Sequence, residues 1–299
     1  MNGLQNRNRR RFLQLASLTP LFLLDNLETH GGRAWASHGR VRFGMTPAFL
    51  HDQHSLLEDW RHYMTRRLGR RVEYTQRDSY RETMDLLRLN QLDYAWVCDY
   101  PYLHLRHLLR LLAVPVYQGA PVYYSYLIVN ASDRATQGIA DLQGKLFAYA
   151  DPYSNSGYLV PRYQIHLLGQ DPEKFFRKTF FTWSHRKVVE AVANRLAHGG
   201  AVDSFVWDTL TELHPELTSR TRIVWKSPGY GFPPIVAQTR NVDEADFTEM
   251  QQLLLAMPDD HEGRDLLKRL NLDGFTVETP ALYDNVAEMM RVFNEYDAA

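Results

Sequence analysis

A short polar loop at residues 151–157 carries the groups best suited to hold a small anion. It follows an apolar stretch, Lys145 to Ala150, that predicts a buried strand, and a helical pattern begins at its end. A helix N-terminus offers unpaired backbone N–H groups and positive dipole charge. Three side chains that can donate hydrogen bonds and one small residue that leaves room beside the backbone stand there: Ser154, Asn155, Ser156 and Gly157. The segment predicts either an oxyanion cradle or an ordinary helix with Ser154 or Asn155 as N-cap.

Two other stretches, 86–99 and 192–208, resemble each other, since each runs helix, turn and strand. In their alignment Cys98 and Asp208 occupy the same place, at the carboxyl end of a predicted strand. Ligands of open α/β sheets bind just outside those strand ends. Two similar halves with facing strand ends therefore predict a cleft, although units of this kind recur in any α/β protein.

The candidate residues around this cleft also have plainer interpretations. Cys98 can be a small buried residue that only packs, and Asp99 and Asp208 can be helix N-caps. His185 stands in the first turn of a predicted helix, where its N–H can bind an oxyanion or serve the structure alone. Two aromatic hydroxyls can reach the cleft or only pack its edge, those of Tyr100 and Tyr153.

The sequence holds no arrangement that predicts catalysis. It has no Ser–His–acid order, no phosphate-binding loop and no dinucleotide glycine fingerprint. Pairs of histidines occur without a third ligand beside them, so no metal site and no cofactor are predicted. The chain is expected to be a binding protein rather than an enzyme.

Residues 1–36 read as an export signal. Asn8 to Gln14 fits the twin-arginine pattern, an apolar run from Phe12 to Leu24 follows, and Ala34-Trp-Ala36 predicts cleavage after Ala36. The apolar run is about half the ~20 residues that cross a bilayer, so we expect a soluble periplasmic protein. Without its five arginines and two acidic residues the chain has 29 basic and 33 acidic residues, a net charge of −4. This balance does not indicate nucleic acid as a partner.

Strand-like and helix-like segments alternate over the remaining residues, which predicts an α/β fold with largely parallel sheets. The single cysteine excludes an internal disulfide. A turn at Gly199-Gly200 is expected between a helix and a strand over 202–207. Residues 227–234 are rich in Pro and Gly, so an irregular return crossing is expected there.

The chain resembles the family of periplasmic phosphonate-binding proteins, which also includes binders of phosphate, phosphite and other oxyanions. The matching segments, in family order, are Arg42–Pro47, Asp93–Tyr102, Asp151–Pro161, Ser184-His185 with Glu190–Ala193, and Val202-Asp203. The resemblance implies a two-lobed periplasmic binding protein of type II, with a mixed sheet and flanking helices in each lobe and the ligand cleft between them. Lobe 1 is expected over 37–128 and 235–299, and lobe 2 over 129–234.

The resemblance also implies what the protein binds and serves. The family's serine-rich cradle falls on Ser154, Asn155 and Ser156. Its cleft-lining strand end falls on Trp96 to Tyr100, and its Ser-His turn falls on Ser184 and His185. Asn155 departs from the Ser or Thr usual at its position. The expected partners are a small oxyanion and the permease of an ABC importer. The alternative is an arsenite or oxyanion sensor that uses Cys98 and signals to a membrane histidine kinase.

Overall fold

The computed structural model describes residues 39–47 and 54–295, and the predicted signal and its cleavage site lie outside these residues. The strands are β1 (Arg40–Met45), β2 (Arg71–Gln76), β3 (Tyr94–Trp96), β4 (Leu109–Val116), β5 (Val122–Tyr123), β6 (Ser125–Asn130), β7 (Leu146–Tyr149), β8 (Lys178–Phe181), β9 (Gly199–Asp203), β10 (Thr221–Lys226), β11 (Tyr230–Gly231), β12 (Ile235–Gln238) and β13 (Gly274–Thr276). The α-helices are α1 (His54–Leu68), α2 (Tyr80–Arg88), α3 (Asp99–Leu105), α4 (Val160–Leu167), α5 (Pro172–Phe175), α6 (His185–Ala193), α7 (Ser204–Leu213), α8 (Pro215–Thr218), α9 (Glu244–Leu255), α10 (His261–Arg269) and α11 (Asp284–Val292). Within both described ranges, no helix is long and apolar enough to cross a membrane.

The strands form two sheets with the same plan. The first has the order β13-β4-β12-β3-β1-β2 and the second β10-β6-β9-β7-β8. In the first sheet β2, β1 and β3 are parallel neighbours and β12 is antiparallel to β3. In the second, β8, β7 and β9 are parallel and β6 is antiparallel to β9. Both sheets are therefore mixed, and each directs three parallel strand ends toward one edge.

The chain passes between the sheets twice. Strands of the first sheet come from residues 40–116 and 235–276, and those of the second from 125–226. The ribbon of β5 and β11 pairs the two crossings, so the predicted irregular segment 227–234 holds a short strand. Strand β6 pairs within the second sheet, and the predicted lobe limit after residue 128 falls inside it.

The predicted strand over 202–207 is wrong beyond Asp203, where α7 begins. The Asp203 carboxylate accepts hydrogen bonds from the N–H groups of Phe205 (2.8 Å) and Val206 (3.4 Å) and so caps this helix. A short apolar run does not by itself distinguish a strand from a buried helix. The predicted turn at Gly199-Gly200 is also wrong, because both glycines lie in β9. A Cβ there would lie 2.5 Å from Leu142 or Val188, so the strand needs glycine at both positions.

Two fully buried tryptophans fix the end of β3. Trp96 packs edge-on against Trp60 of α1, with ring centroids 5.9 Å apart. The Trp96 indole donates to the carbonyl of Pro233 (2.9 Å), and the Val97 N–H donates to that of Pro234 (3.0 Å). The end of β3 is thus tied to the return crossing, which holds the residues that follow it in place.

Candidate functional site

Five strand–helix junctions bring polar side chains to one buried cluster. The first sheet contributes the starts of α2 and α3, and the second the turn before α4 and the starts of α6 and α7. The cluster consists of Tyr80, Cys98, Asp99, Tyr123, Ser154, Asn155, Ser156, His185 and Asp203, none more than 2% exposed. Its place outside the carboxyl ends of parallel strands is where α/β sheets bind ligands.

Asp99 lies at the centre of the cluster. Its carboxylate accepts hydrogen bonds from the Cys98 thiol (2.9 Å), the Tyr100 N–H (2.9 Å), the Tyr123 hydroxyl (3.0 Å) and the Asn155 amide (2.7 Å). Burial raises the pKa of Asp99 to about 6, although these hydrogen bonds favour the ionised form. Burial and the adjacent carboxylate also raise the pKa of Cys98, so its sulfur stays a thiol at neutral pH.

Ser154 caps the helical segment that follows it, as predicted. Its Oγ accepts a hydrogen bond from the Gly157 N–H (3.0 Å) and lies 3.3 Å from His185 Nε2. His185 Nδ1 accepts from the Asp203 N–H (3.1 Å), so the ring proton is on Nε2 and points at Ser154. Burial lowers the pKa of His185 to about 3, which keeps the imidazole neutral.

The segment opens with a π-helical turn, Asn155–Leu159, that continues into α4. Such turns are rare in proteins as a whole, and those that occur often lie at functional sites. The expected room for a ligand beside Gly157 is not there, because a Cβ on Gly157 would lie 2.5 Å from Ala150 Cβ and 3.0 Å from His185. The glycine instead lets the turn pack against the end of β7.

We expect Gly157→Ala to lower the free energy of unfolding by about 1–3 kcal/mol, the usual cost of overpacking a core. Urea denaturation followed by circular dichroism measures it. Gly138→Ala is the matched control, since a Cβ there has open space within 4 Å. Equal stability of the two variants would contradict the close packing of Gly157.

Three polar atoms of the cluster have no hydrogen-bond partner among the residues that the structure describes. They are the Tyr80 hydroxyl, Asn155 Oδ1 and Ser156 Oγ. A buried polar group left unpaired costs about 1–3 kcal/mol. Three of them in one buried cluster indicate a place that something else is built to fill.

The cluster is rich in carboxylates. Burial raises the pKa of Asp203 well above its ordinary value, and the nearby Asp99 charge raises it further. Burial likewise raises the pKa of Asp151, which lies at the start of the cradle loop. Within the described residues, these three carboxylates accept hydrogen bonds from neutral side chains and backbone N–H groups rather than from Lys or Arg. An anion bound here is repelled by these carboxylates. A proton on the ligand or on a carboxylate reduces the repulsion.

Two hydrogen bonds, one within the cluster and one from the cluster to Asp151 at its edge, join residues of different sheets. Asn155, on the second-sheet side, donates to Asp99 on the first-sheet side. The N–H of Tyr80, which starts α2, donates to the Asp151 carboxylate (3.1 Å). The two sets of strand ends are therefore in direct contact in this structure, and their separation breaks both bonds.

The structure brings together most of the predicted residues, but not all. Tyr100 reaches the cluster through its N–H. The half-buried Tyr153 packs against Tyr80 and Cys98 at the edge of the cluster and lies beside Tyr100, with ring centroids 6.3 Å apart. Asp208 lies in α7 rather than at the end of a strand, and its carboxylate accepts hydrogen bonds from Tyr117 (2.8 Å) and Tyr126 (3.4 Å). The predicted equivalence of Cys98 and Asp208 is therefore wrong.

The true counterpart of Cys98 is Asp203, since each is the N-cap residue of the helix that follows its strand. Neither Asp99 nor Asp208 is an N-cap. Sequence reasoning did not select Asp203, Tyr80 or Tyr123. Two signals were present: the N-cap pattern of Ser79 just before Tyr80, and the aspartate just before an apolar helical run.

A separate cavity of about 850 Å³ lies between α1, α10, α6 and α7. None of its lining residues belongs to the buried cluster. The unpaired polar atoms and the carboxylates with raised pKa values lie in the cluster. The chemistry therefore favours the cluster as the ligand site.

Two mixed sheets of one plan, with a polar cluster at their facing strand ends, define a two-lobed periplasmic binding protein. Residues 43–283 match the sequence model of the family described as ABC transporter, phosphonate, periplasmic substrate-binding protein, and the chain belongs to this family. The predicted family, fold class and substrate-binding role are thereby confirmed.

Named relatives agree with this family. The chain is 27% identical over 228 residues to the phosphonates-binding periplasmic protein of Escherichia coli K12, covering 73% of this chain and 67% of that one. It is 24% identical over 164 residues to a probable phosphite-binding protein of an ABC transporter from Prochlorococcus marinus, covering 53% and 55%.

Solved structures show the same fold. A binding protein component of an ABC phosphonate transporter from Pseudomonas aeruginosa superimposes with a TM-score of 0.78, at 23% identity over 86% of each chain. The Prochlorococcus marinus protein PhnD1 in complex with methylphosphonate gives 0.77, at 21% identity over 86% of this chain and 99% of that one. The comparisons match transporter components and give no support to the sensor hypothesis.

Proposed function

We propose that the buried cluster holds a small phosphorus oxyanion that carries at least one proton, and that the protein delivers this ligand to an ABC importer. The observation that carries the proposal is the set of three unpaired buried atoms, Tyr80 OH, Asn155 Oδ1 and Ser156 Oγ. Hydroxyl groups donate to the oxygens of an anion, and an amide oxygen accepts from a ligand O–H.

The carboxylates decide which charge the ligand carries. A fully ionised dianion beside Asp99 and Asp203 faces like charges in a buried place, where they repel strongly. A monoanion with a P–O–H group can donate to one of these carboxylates while its other oxygens accept from Tyr80 and Ser156. Hydrogen bonds of this kind, with one charged partner, are worth about twice a neutral one.

The relatives indicate which ligands to test first. One is named for phosphonates, one for phosphite, and one solved relative holds methylphosphonate. Asn155 sets this chain apart from the usual Ser or Thr. Its amide donates to Asp99 and Tyr123, which leaves its oxygen as the group that faces a ligand proton.

Delivery requires the lobes to open and close. We take the first sheet with its helices as one lobe and the second sheet, with all of β6, as the other, so the lobe limit lies before Ser125 rather than after residue 128. The permease of the importer is the partner. Binding and release need no bond to be made or broken in the ligand, so we assign the chain no catalytic activity.

The route to the periplasm follows from the sequence alone. We propose export through the twin-arginine machinery and cleavage after Ala36. Replacement of Arg9 and Arg10 by lysine should keep the precursor in the cytoplasm, and mass spectrometry of the exported protein should find Ser37 at its N-terminus.

A thermal-shift screen of the mature chain tests the function. The panel is phosphate, phosphite, methylphosphonate, sulfate, arsenate and arsenite, and a ligand at a hundredfold excess over its Kd stabilises the fold by about 2.7 kcal/mol. We expect a shift with a phosphorus oxyanion. A shift with arsenite alone that is lost in Cys98→Ser would replace the importer role by the sensor hypothesis, and no shift at all would overturn the ligand class.

A further inference from the structure

Glu295, at the end of the described chain, bonds to two helices that follow strands of different sheets. One carboxylate oxygen accepts a hydrogen bond from the hydroxyl of Tyr100, in α3 of the first-sheet side. The other accepts from Arg162 Nη1 (3.0 Å), in α4 of the second-sheet side. One side chain thus connects the two halves that have to separate when the cleft opens.

The surroundings of Glu295 make this connection specific. The Arg162 side chain is only 11% exposed, and its guanidinium lies over the rings of Phe293 (4.3 Å) and Tyr158 (4.7 Å). Cation–π contacts of this kind hold an arginine in one orientation. Helix α11, which leads into Phe293 and Glu295, packs against α3, against the π-helical turn and against α4.

Both helices held by Glu295 begin in the ligand cluster. Tyr100 directly follows Asp99 and donates its N–H to that carboxylate. Arg162 lies one turn beyond the π-helical segment that starts with Asn155. A change in the distance between Tyr100 and Arg162 therefore changes the distance between Asp99 and Asn155.

We propose that Glu295 is a latch between the lobes, which stabilises the closed form and slows the release of ligand without touching it. The latch rests on the proposed function for its effect on release, but its effect on shape is independent of any ligand. Opening breaks the bond from Arg162 to Glu295, while Tyr100 holds Glu295 within the first lobe. Arg162 then keeps a second partner on its own side, Glu173 at 3.5 Å. Arg162 is therefore still paired in the open form, and the closed form has one more charge-assisted hydrogen bond.

Glu295→Gln tests the latch, with Glu288→Gln as its control. Glu288 is an exposed residue of α11, the helix that leads into Glu295, so both variants lose one charge from the C-terminal region. We expect Glu295→Gln to increase the radius of gyration of the ligand-free protein in small-angle X-ray scattering and to speed dissociation of methylphosphonate about tenfold. Results equal to those of Glu288→Gln in both measurements would overturn the latch.

A double-mutant cycle with Tyr100→Phe separates the latch from direct ligand contact. If Tyr100 acts through Glu295, the double variant should release methylphosphonate no faster than Glu295→Gln alone. Multiplied effects of the two changes would contradict the latch and make Tyr100 a ligand contact. If the unaltered protein binds no oxyanion of the panel, the proposed function fails, and the scattering comparison alone decides whether the latch exists.

Discussion

Ser156→Ala combined with Tyr80→Phe should weaken oxyanion binding about 100-fold and leave the folded protein at least as stable as before. Each change removes one hydroxyl that has no partner in the described part of the chain. A hydrogen bond to a charged ligand is worth at least about 1.4 kcal/mol, or tenfold in Kd. Removing an unpaired buried hydroxyl also removes its desolvation cost. Calorimetric titration measures Kd, and urea denaturation measures stability.

Two control variants show whether the weaker binding and the unchanged stability of the double variant come from the ligand site. Tyr74 also has an unpaired buried hydroxyl, but its ring packs against Phe43 and Trp60, away from the cluster. Tyr74→Phe should therefore leave Kd unchanged. Ser154→Ala should instead cost about 1 kcal/mol of stability, because its Oγ caps the helix. Unchanged affinity in the Ser156 and Tyr80 double variant would show that the ligand lies elsewhere.

The cap at Ser154 could be predicted from the sequence because its signals are local. A serine before a helical run is an N-cap whatever the rest of the fold does, and Ser154 bonds to Gly157 only three residues away. The alternation of strands and helices predicted the α/β class, but its prediction of largely parallel sheets is wrong, because β12 and β6 run antiparallel to their neighbours.

The other half of the cluster depends on contacts between residues far apart in the chain. Asn155 meets Asp99 across 56 positions, and Tyr80 meets Asp151 across 71. The periodicity of apolar residues along the sequence does not indicate such long-range contacts. The prediction that Asp208 ends a strand failed for a different reason. Strand β9 ends at Asp203, which caps α7, and the apolar run that follows has no pattern that excludes a strand.

Affinity for a phosphorus oxyanion should fall as pH rises above about 6. The pKa of Asp99 is about 6, raised chiefly by burial. A bound anion raises it further, so above pH 6 binding takes up a proton, and Kd increases up to tenfold per pH unit. Below pH 6 Asp99 is already protonated and affinity levels off. His185, with its pKa near 3, stays neutral throughout this range and adds no slope.

Calorimetry in two buffers of different protonation enthalpy counts the protons taken up and so tests this dependence directly. Asp99→Asn should remove the part of the proton uptake that belongs to Asp99. The part from the second ionisation of the ligand itself should remain, since a dianion must regain its proton to face Asp203. Because both contributions have the same sign, an affinity that rises with pH, or binding without proton uptake at pH 7.5, would exclude a protonated ligand. The carboxylates of the cluster would then have to be neutralised by a cationic group of the ligand.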